Sequence, residues 1–319
     1  MTFDEILMNS KSFILSLSII FMKGLIEMKN KLTTLEKEEH REISMYSRVY
    51  IEITNICNMH CSFCHGHSRQ GRFMARSEFE HILKEIEGKT GYVYYHLMGE
   101  PLLHPELPLF IKATKERGLI PVITTNGTLL KKRGEELISS GVHKISVSLH
   151  SFEENDPTAQ ERYLKEVADF ADAASKEGII VVLRLWNNGF DEGRNDRTLE
   201  FLRLSLKGEW VKNTKGIRIR DKLHIEWGDR FEWPDKEAEV QGDEVFCYGL
   251  RDHFGILSDG TVVPCCLDSE GAIRLGNIFT QSIDEILSSP VAVRMCEGFE
   301  KRKATEELCR RCGYARRFG

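Results

Sequence analysis

The sequence predicts an α/β protein: a complete or partial barrel of parallel βα units, followed by a smaller domain of another kind. Between Arg48 and about Arg220, short β-branched or aromatic runs alternate with amphipathic segments five or six times. That alternation is the signature of parallel βαβ units with right-handed crossovers. After Arg220 it stops. The nine cysteines of the 319-residue chain form two groups, with none between Cys64 and Cys247.

Each element has a local signal. Residues 1–47 are set aside as an extension ahead of the first strand. Within it, residues 12–22 are uncharged and mostly apolar between Lys11 and Lys23, fewer than the roughly 20 a membrane-spanning helix needs. No small-residue cleavage site follows, as a secretory signal requires, and Met22, Met28 and Met45 each offer a start for a shorter chain. The expected strands are 49–53, 92–97, 120–124, 144–149, 179–186 and 217–219; the expected helices are 77–87, 106–117, 131–139, 158–176 and 197–206. In each helix apolar residues recur three or four positions apart, giving one face to bury. Ser77, with Glu80 three residues on, reads as an N-terminal capping box. Gly118, Gly141 and Gly178 follow their helices as C-terminal glycines do. Further on, 256–263 reads as a hairpin turning at Asp259-Gly260, and 282–287 as a helix. The expected division is 1–47 extension, 48–220 barrel and 221–319 second domain.

The formal charge, 44 − 49 = −5, gives no chain-wide electrostatic case for nucleic acid. A composition 41% apolar and 29% charged supports a packed core and argues against disorder or a membrane-embedded protein. Clustered, closely spaced cysteines in a large α/β chain point to metal ligation in a reducing compartment, so a cytoplasmic protein is expected.

Cys57, Cys61 and Cys64 form C-x3-C-x2-C just after the first strand, where βα proteins gather their chemistry. Three thiolates hold one face of an iron–sulfur cube and leave one iron open, whereas four saturate it. Three cysteines with His60, His65 or His67 also suit tetrahedral zinc, and buried free thiols are a third reading. In the last quarter, Cys247 and Cys265 flank a hairpin while Cys309 and Cys312 share a tight turn. Those four suit one saturated cluster or a zinc knuckle. Cys266 and Cys296 are left over.

With Phe63 as the aromatic, the first group resembles the C-x3-C-x-aromatic-C motif of the radical S-adenosylmethionine (SAM) enzyme family, and the likeness runs from about Arg48 to the end of the chain. The resemblance implies a partial (β/α)6 barrel and a three-cysteine [4Fe-4S] cluster whose open iron takes SAM as an exchangeable ligand. Reductive cleavage of SAM then gives a 5′-deoxyadenosyl radical that abstracts a substrate hydrogen. Met98-Gly99-Glu100-Pro101 resembles the family's Gly-Gly-Glu-Pro stretch, which holds the SAM amino group, with Met98 in place of the first glycine. A glycine lets the backbone approach a ligand, and a carboxylate receives an ammonium. In similar enzymes, polar residues near Asn126, Ser146, Ser148 and Arg184 touch the SAM ribose or carboxylate; Ser148 is the one expected to do so here. The stretch from Asp259 to Cys265, with Leu275-Gly276-Asn277-Ile278, resembles the SPASM and twitch auxiliary-cluster domains. Because seven residues follow Cys312, one auxiliary [4Fe-4S] cluster in a small α+β domain is expected. The left-over Cys266 or Cys296 then serves as a small buried hydrophobe or as a hydrogen-atom donor to a substrate radical. Family activities make peptide modification the first expectation and dehydrogenation of a small-molecule alcohol the second. An electron donor such as flavodoxin or ferredoxin is implied, and no nucleic acid or membrane partner. A non-catalytic zinc or iron–sulfur scaffold, or an electron carrier, is the alternative from another class.

Overall fold

The computed structural model describes residues 46–153 and 156–318; the expected N-terminal extension lies, up to residue 45, outside them. The strands are β1 Arg48–Ile51, β2 Tyr92–Tyr94, β3 Ile120–Thr125, β4 Lys144–Ser148, β5 Ile180–Asn188, β6 Val211–Asn213, β7 Gly216–Arg220, β8 Leu223–Asp229, β9 His253–Ile256, β10 Thr261–Val263 and β11 Gly276–Asn277. The helices are α1 Arg76–Ile86, α2 Leu107–Glu116, α3 Leu130–Ser140, α4 Pro157–Lys176, α5 Arg194–Ser205, α6 Ile283–Leu287, α7 Pro290–Glu300 and α8 Glu307–Arg310. One sheet takes in all these strands in the order β11-β10-β9-β1-β2-β3-β4-β5-β8-β7-β6. Neighbours from β9 through β1 to β5 and on to β8 are parallel.

The period of two within each strand decides what faces what. Val49 and Ile51 of β1, Val93 of β2, Ile145 and Val147 of β4, and Val181, Leu183 and Leu185 of β5 pack into the main core. The helices close it with residues three and four apart, such as Tyr163, Leu164, Val167, Phe170, Ala171 and Ala174 of α4. Phe79 of α1 stacks on Phe110 of α2 at 4.2 Å and 7°. The alternate residues, including Tyr50, Tyr94, Lys144, Ser146, Arg184 and Glu226, lie on the other face. A barrel interior of that kind is a place for ligands rather than for core.

Two local expectations are corrected. Helix α1 starts at Arg76 behind Ala75, not behind Ser77. Ala75 has no side-chain oxygen, so only the returning half of a box is made, Ala75 N donating to Glu78 Oε2 at 2.7 Å. The sixth parallel strand is β8, not 217–219, which forms the antiparallel β7. Its inward residues His224 and Glu226 are polar, which hid it from a search for apolar runs. Strand pairing therefore continues across the expected boundary at Arg220. The hairpin appears as expected, with Gly260 at φ +84° in a turn between β9 and β10, and β9 adds to the sheet beside β1.

A buried ion pair ties the C-terminal segment to β1. Glu52, fully buried, receives Arg69 bidentately at 2.8 and 2.7 Å, Ser258 N and Oγ, and Met98 N. A buried carboxylate this fully satisfied fixes the position of every strand end it touches.

Candidate functional site

The chain leaves β1 into a loop clamped at its base. Thr54 Oγ1 donates to Arg72 O at 2.9 Å, and the Asn55 amide donates to Gln70 O and accepts from Arg72 N. Between these anchors stand Cys57, Cys61 and Cys64, which line one cavity of about 500 Å³ together with Gly99, Glu100 and Ser148. All the residues expected to hold the first cluster and SAM are thus brought to one place. The loop is fastened further by Asn126, whose Nδ2 donates to Asn58 Oδ1 at 2.9 Å and lies 3.9 Å from Cys57 Sγ. Glu153 accepts from Ser62 N at 2.7 Å and from its hydroxyl at 2.5 Å.

Gly99 has φ +76°, and a Cβ there would lie 2.3 Å from Thr54 O. Only glycine lets the end of the β2 segment sit this close to the base of the cysteine loop. Glu100 is buried, and its carboxylate accepts from Leu102 N, Thr125 Oγ1 and Asn126 N at 3.0, 2.7 and 2.7 Å. Burial pushes this carboxyl up to about 7, against the pull of those donors. Oε1 takes two of the three bonds and Oε2 one, so Oε2 keeps a lone pair for a further donor.

Electrostatics around the thiols are set by burial and by one another. Burial, then the neighbouring Cys64 and Cys57, pushes Cys61 up to about 12, and burial also raises Cys57. Without a metal such thiols stay protonated, so metal binding must release protons. Among the described residues no three His, Cys, Asp or Glu side chains stand close enough to hold a single metal ion. Of the histidines considered for zinc, His67 bonds Asn55 O through Nε2 at 2.8 Å, and His65 stacks on Trp233 beside Asp235.

Sequence reasoning passed over His96 and Trp233, which also line the cavity. Burial and the Arg184 cation push the His96 imidazole down to about 3, keeping it neutral. His67 Nδ1, His96 Nδ1, Ser146 Oγ and Arg184 Nε are sealed polar atoms without a protein partner, and His67 and His96 line the cavity; unpaired buried groups are costly. His67, Ser146 and Arg184 are among the candidates named from the sequence, whereas His96 belongs to no motif; strand register sets Ser148 beside Arg184 and Arg184 beside Glu226.

The second cysteine group also comes together. Cys247, Cys265, Cys309 and Cys312 enclose a cavity of about 30 Å³ with Pro234 and Asp268. Burial raises all four thiols, and mutual repulsion adds to it for Cys247, Cys265 and Cys309. Cys266 faces away, against Tyr50, Leu97, Leu257 and Val263, and Cys296 on α7 approaches Leu250 O at 3.8 Å. Soft thiols in a three-plus-cavity set and in a closed set of four fit iron–sulfur clusters of the open and saturated kinds.

Comparison with known proteins agrees with this geometry. Residues 51–202 match the model described as the radical SAM superfamily, and residues 247–313 match SPASM, an iron–sulfur cluster-binding domain. The chain belongs to the radical SAM superfamily. As a radical SAM protein it is an enzyme that uses [4Fe-4S] clusters and SAM. A probable GTP 3′,8-cyclase of Methanocella arvoryzae is 26% identical over 82% of this chain and 94% of its own length. Among solved structures, BtrN in complex with AdoMet and 2-DOIA superposes with a TM-score of 0.54 at 20% identity, covering 84% of this chain and 92% of BtrN. Streptococcus suis SuiB bound to the precursor peptide SuiA gives 0.52 at 17% identity, covering 90% and 74%. Among the described residues no helix is long and apolar enough to cross a membrane.

Proposed function

We propose that Cys57, Cys61 and Cys64 hold the catalytic [4Fe-4S] cluster, that Gly99, Glu100 and Ser148 position SAM, and that Cys247, Cys265, Cys309 and Cys312 hold one auxiliary cluster. The observation that carries this reading is the shared cavity: the three cysteines, Gly99-Glu100 and Ser148 reach it from a loop and two different strand ends. When bound, the first cluster supplies the electron that cleaves SAM to a 5′-deoxyadenosyl radical, which abstracts a hydrogen atom from the substrate. The chain's own part is placement. Glu100 Oε2 offers its free lone pair to the SAM ammonium, Ser148 offers a hydroxyl beside it, and neutral His96 closes the wall without adding charge. The extension before residue 48, the barrel and the cluster domain are proposed as three units, with the barrel taken to include β8.

The substrate is proposed to be a peptide. The cysteine cavity shares Phe63 with a second cavity of about 340 Å³, which in turn shares Gln160, Leu164 and Arg194 with a third of about 320 Å³. Cavities that adjoin in this way offer length to an extended chain, and SuiB offers a structural parallel with a bound peptide. A small-molecule reading is favoured by a different observation, the GTP 3′,8-cyclase relative that aligns over most of both chains. The test uses anaerobically reconstituted protein with SAM and dithionite, offered GTP in one reaction and a peptide encoded beside the gene in another. Formation of 5′-deoxyadenosine with a mass change on the peptide supports the first reading. An altered nucleotide with an unchanged peptide supports the second. Absence of 5′-deoxyadenosine from iron-replete protein overturns both. A reduced electron donor of the flavodoxin or ferredoxin kind, in the cytoplasm, is proposed to replace dithionite.

A further inference from the structure

Trp233 and Pro234 are consecutive, yet Trp233 lines the cavity of the three-cysteine loop and Pro234 lines the cavity of the four-cysteine site. They lie on the segment 230–235, which leaves β8 and runs between the two sites. We infer that Trp233 is a positioning residue for the three-cysteine loop and that this segment couples the loop mechanically to the four-cysteine site. The inference rests on the cluster assignments proposed above.

On one side the segment grips residues 62–65. Arg230 Nη2 donates to Ser62 O at 3.4 Å, and Trp233 Nε1 donates to Phe63 O at 3.0 Å. That carbonyl belongs to the peptide joining Phe63 to Cys64, so its orientation sets where the Cys64 thiol is carried. The indole also lies nearly parallel to the His65 ring, 6.1 Å away at 18°, and Asp235 Oδ2 stands 3.7 Å from His65 Nε2.

On the other side the same segment is packed against the residues that follow Cys312. A Cβ on Gly313 would come 2.9 Å from Glu232 Cβ and 3.0 Å from Glu232 O, so the two backbones are in direct contact. Phe231 meets Tyr314 edge-on at 4.9 Å, and the Arg317 guanidinium covers both rings at 5.3 and 5.1 Å. A shift of the Cys309–Cys312 turn therefore has no slack to absorb it before it reaches Phe63 and Cys64. Close-packed contacts of this kind transmit displacement rather than damp it.

The test is a double-mutant cycle on the reconstituted full chain, reading the rate at which a ferrous chelator withdraws iron. Trp233→Phe keeps an aromatic ring and deletes the N–H donor. It should speed release of about half of the iron, that of the three-cysteine site, by about fivefold, the scale of one lost hydrogen bond. Removing the auxiliary ligands with C309A/C312A should speed loss of the remaining iron by a similar factor. Adding W233F to that background should change the rate little, because the segment is already released; such non-additivity is the mark of coupled residues. The electron paramagnetic resonance signal of the reduced, SAM-bound cluster should shift in W233F, which general destabilisation alone would leave in place. Phe231→Leu, which touches neither cavity wall, provides a second break and should show the same non-additivity with C309A/C312A. Wild-type release rates and spectrum in W233F, or effects that multiply as for independent sites, overturn the coupling. A wild-type enzyme that makes 5′-deoxyadenosine while these effects multiply loses only this inference; one that makes none loses the proposed function whatever the release rates.

Discussion

Cys57 and Cys64 are exposed on a loop that holds all three thiols of its group within eight residues, whereas the four C-terminal thiols are part-buried and come from three separate stretches of chain. A cavity of about 500 Å³ lies beside the first group; one of about 30 Å³ lies among the second. The larger cavity fits the proposal of an open iron at the loop, and the smaller one the proposal of a saturated cluster at the four thiols. Under the proposed assignment, the same side chain serves a reactive centre at the exposed loop and a saturated one at the part-buried group.

The largest break in that comparison is removal of a thiol from the loop. Cys57→Ala or Cys61→Ala should reduce 5′-deoxyadenosine formation by more than about a hundredfold, since even residues one step removed from a metal cost 10- to 100-fold. Iron should fall from roughly eight to roughly four per chain, two cubes becoming one. A smaller effect on SAM cleavage is expected at the other site. C309A/C312A should lose the same amount of iron yet form 5′-deoxyadenosine within about tenfold of wild type, as followed by chromatography of the quenched reaction. Equal losses at the two sites would erase the distinction drawn between them.

The two sites were not equally legible in the sequence. The loop's motif is local, so Cys57, Cys61 and Cys64 could be picked out by spacing, whereas Gly99 and Glu100 were named through the resemblance of Met98-Gly99-Glu100-Pro101 to the family's Gly-Gly-Glu-Pro stretch. The four C-terminal thiols were found because hairpin and tight-turn signals bracket them. Ser148 could be named as a strand-end residue, but its neighbourhood with Arg184 is a matter of register between β4 and β5, which spacing along one chain does not carry. Trp233 was invisible for the same reason: its partner, Phe63 O, is a backbone atom 170 positions away. The strand β8 was missed because a barrel's inner face is built for ligands, so Leu223, Ile225 and Trp227 alternate with polar residues instead of forming an apolar run.

Two further changes sharpen how the loop meets the SAM side of its cavity. Gly99→Ala puts a side chain on a left-handed residue and against Thr54 O. It should destabilise the fold by about 1–3 kcal/mol and weaken SAM binding, measured by denaturant titration and by calorimetry; an unchanged midpoint would contradict the close approach. The smallest effect is expected at Glu100. Its folded value near 7 stands above the ordinary 4.5, so between those pH values the folded state holds the extra proton. Its contribution to stability therefore falls as pH rises through that window. The stability of SAM-free wild type relative to Glu100→Gln should decline from about pH 4.5 to 7, and a flat difference would show that the carboxyl is not held up by burial.

The open iron of the loop site is tested most directly by Mössbauer spectroscopy of reconstituted protein in which Cys247, Cys265, Cys309 and Cys312 are all replaced by alanine. One cubane should remain, with a single iron whose signal moves when SAM is added. A protein with no cubane, or with one that ignores SAM, contradicts the assignment of Cys57, Cys61 and Cys64.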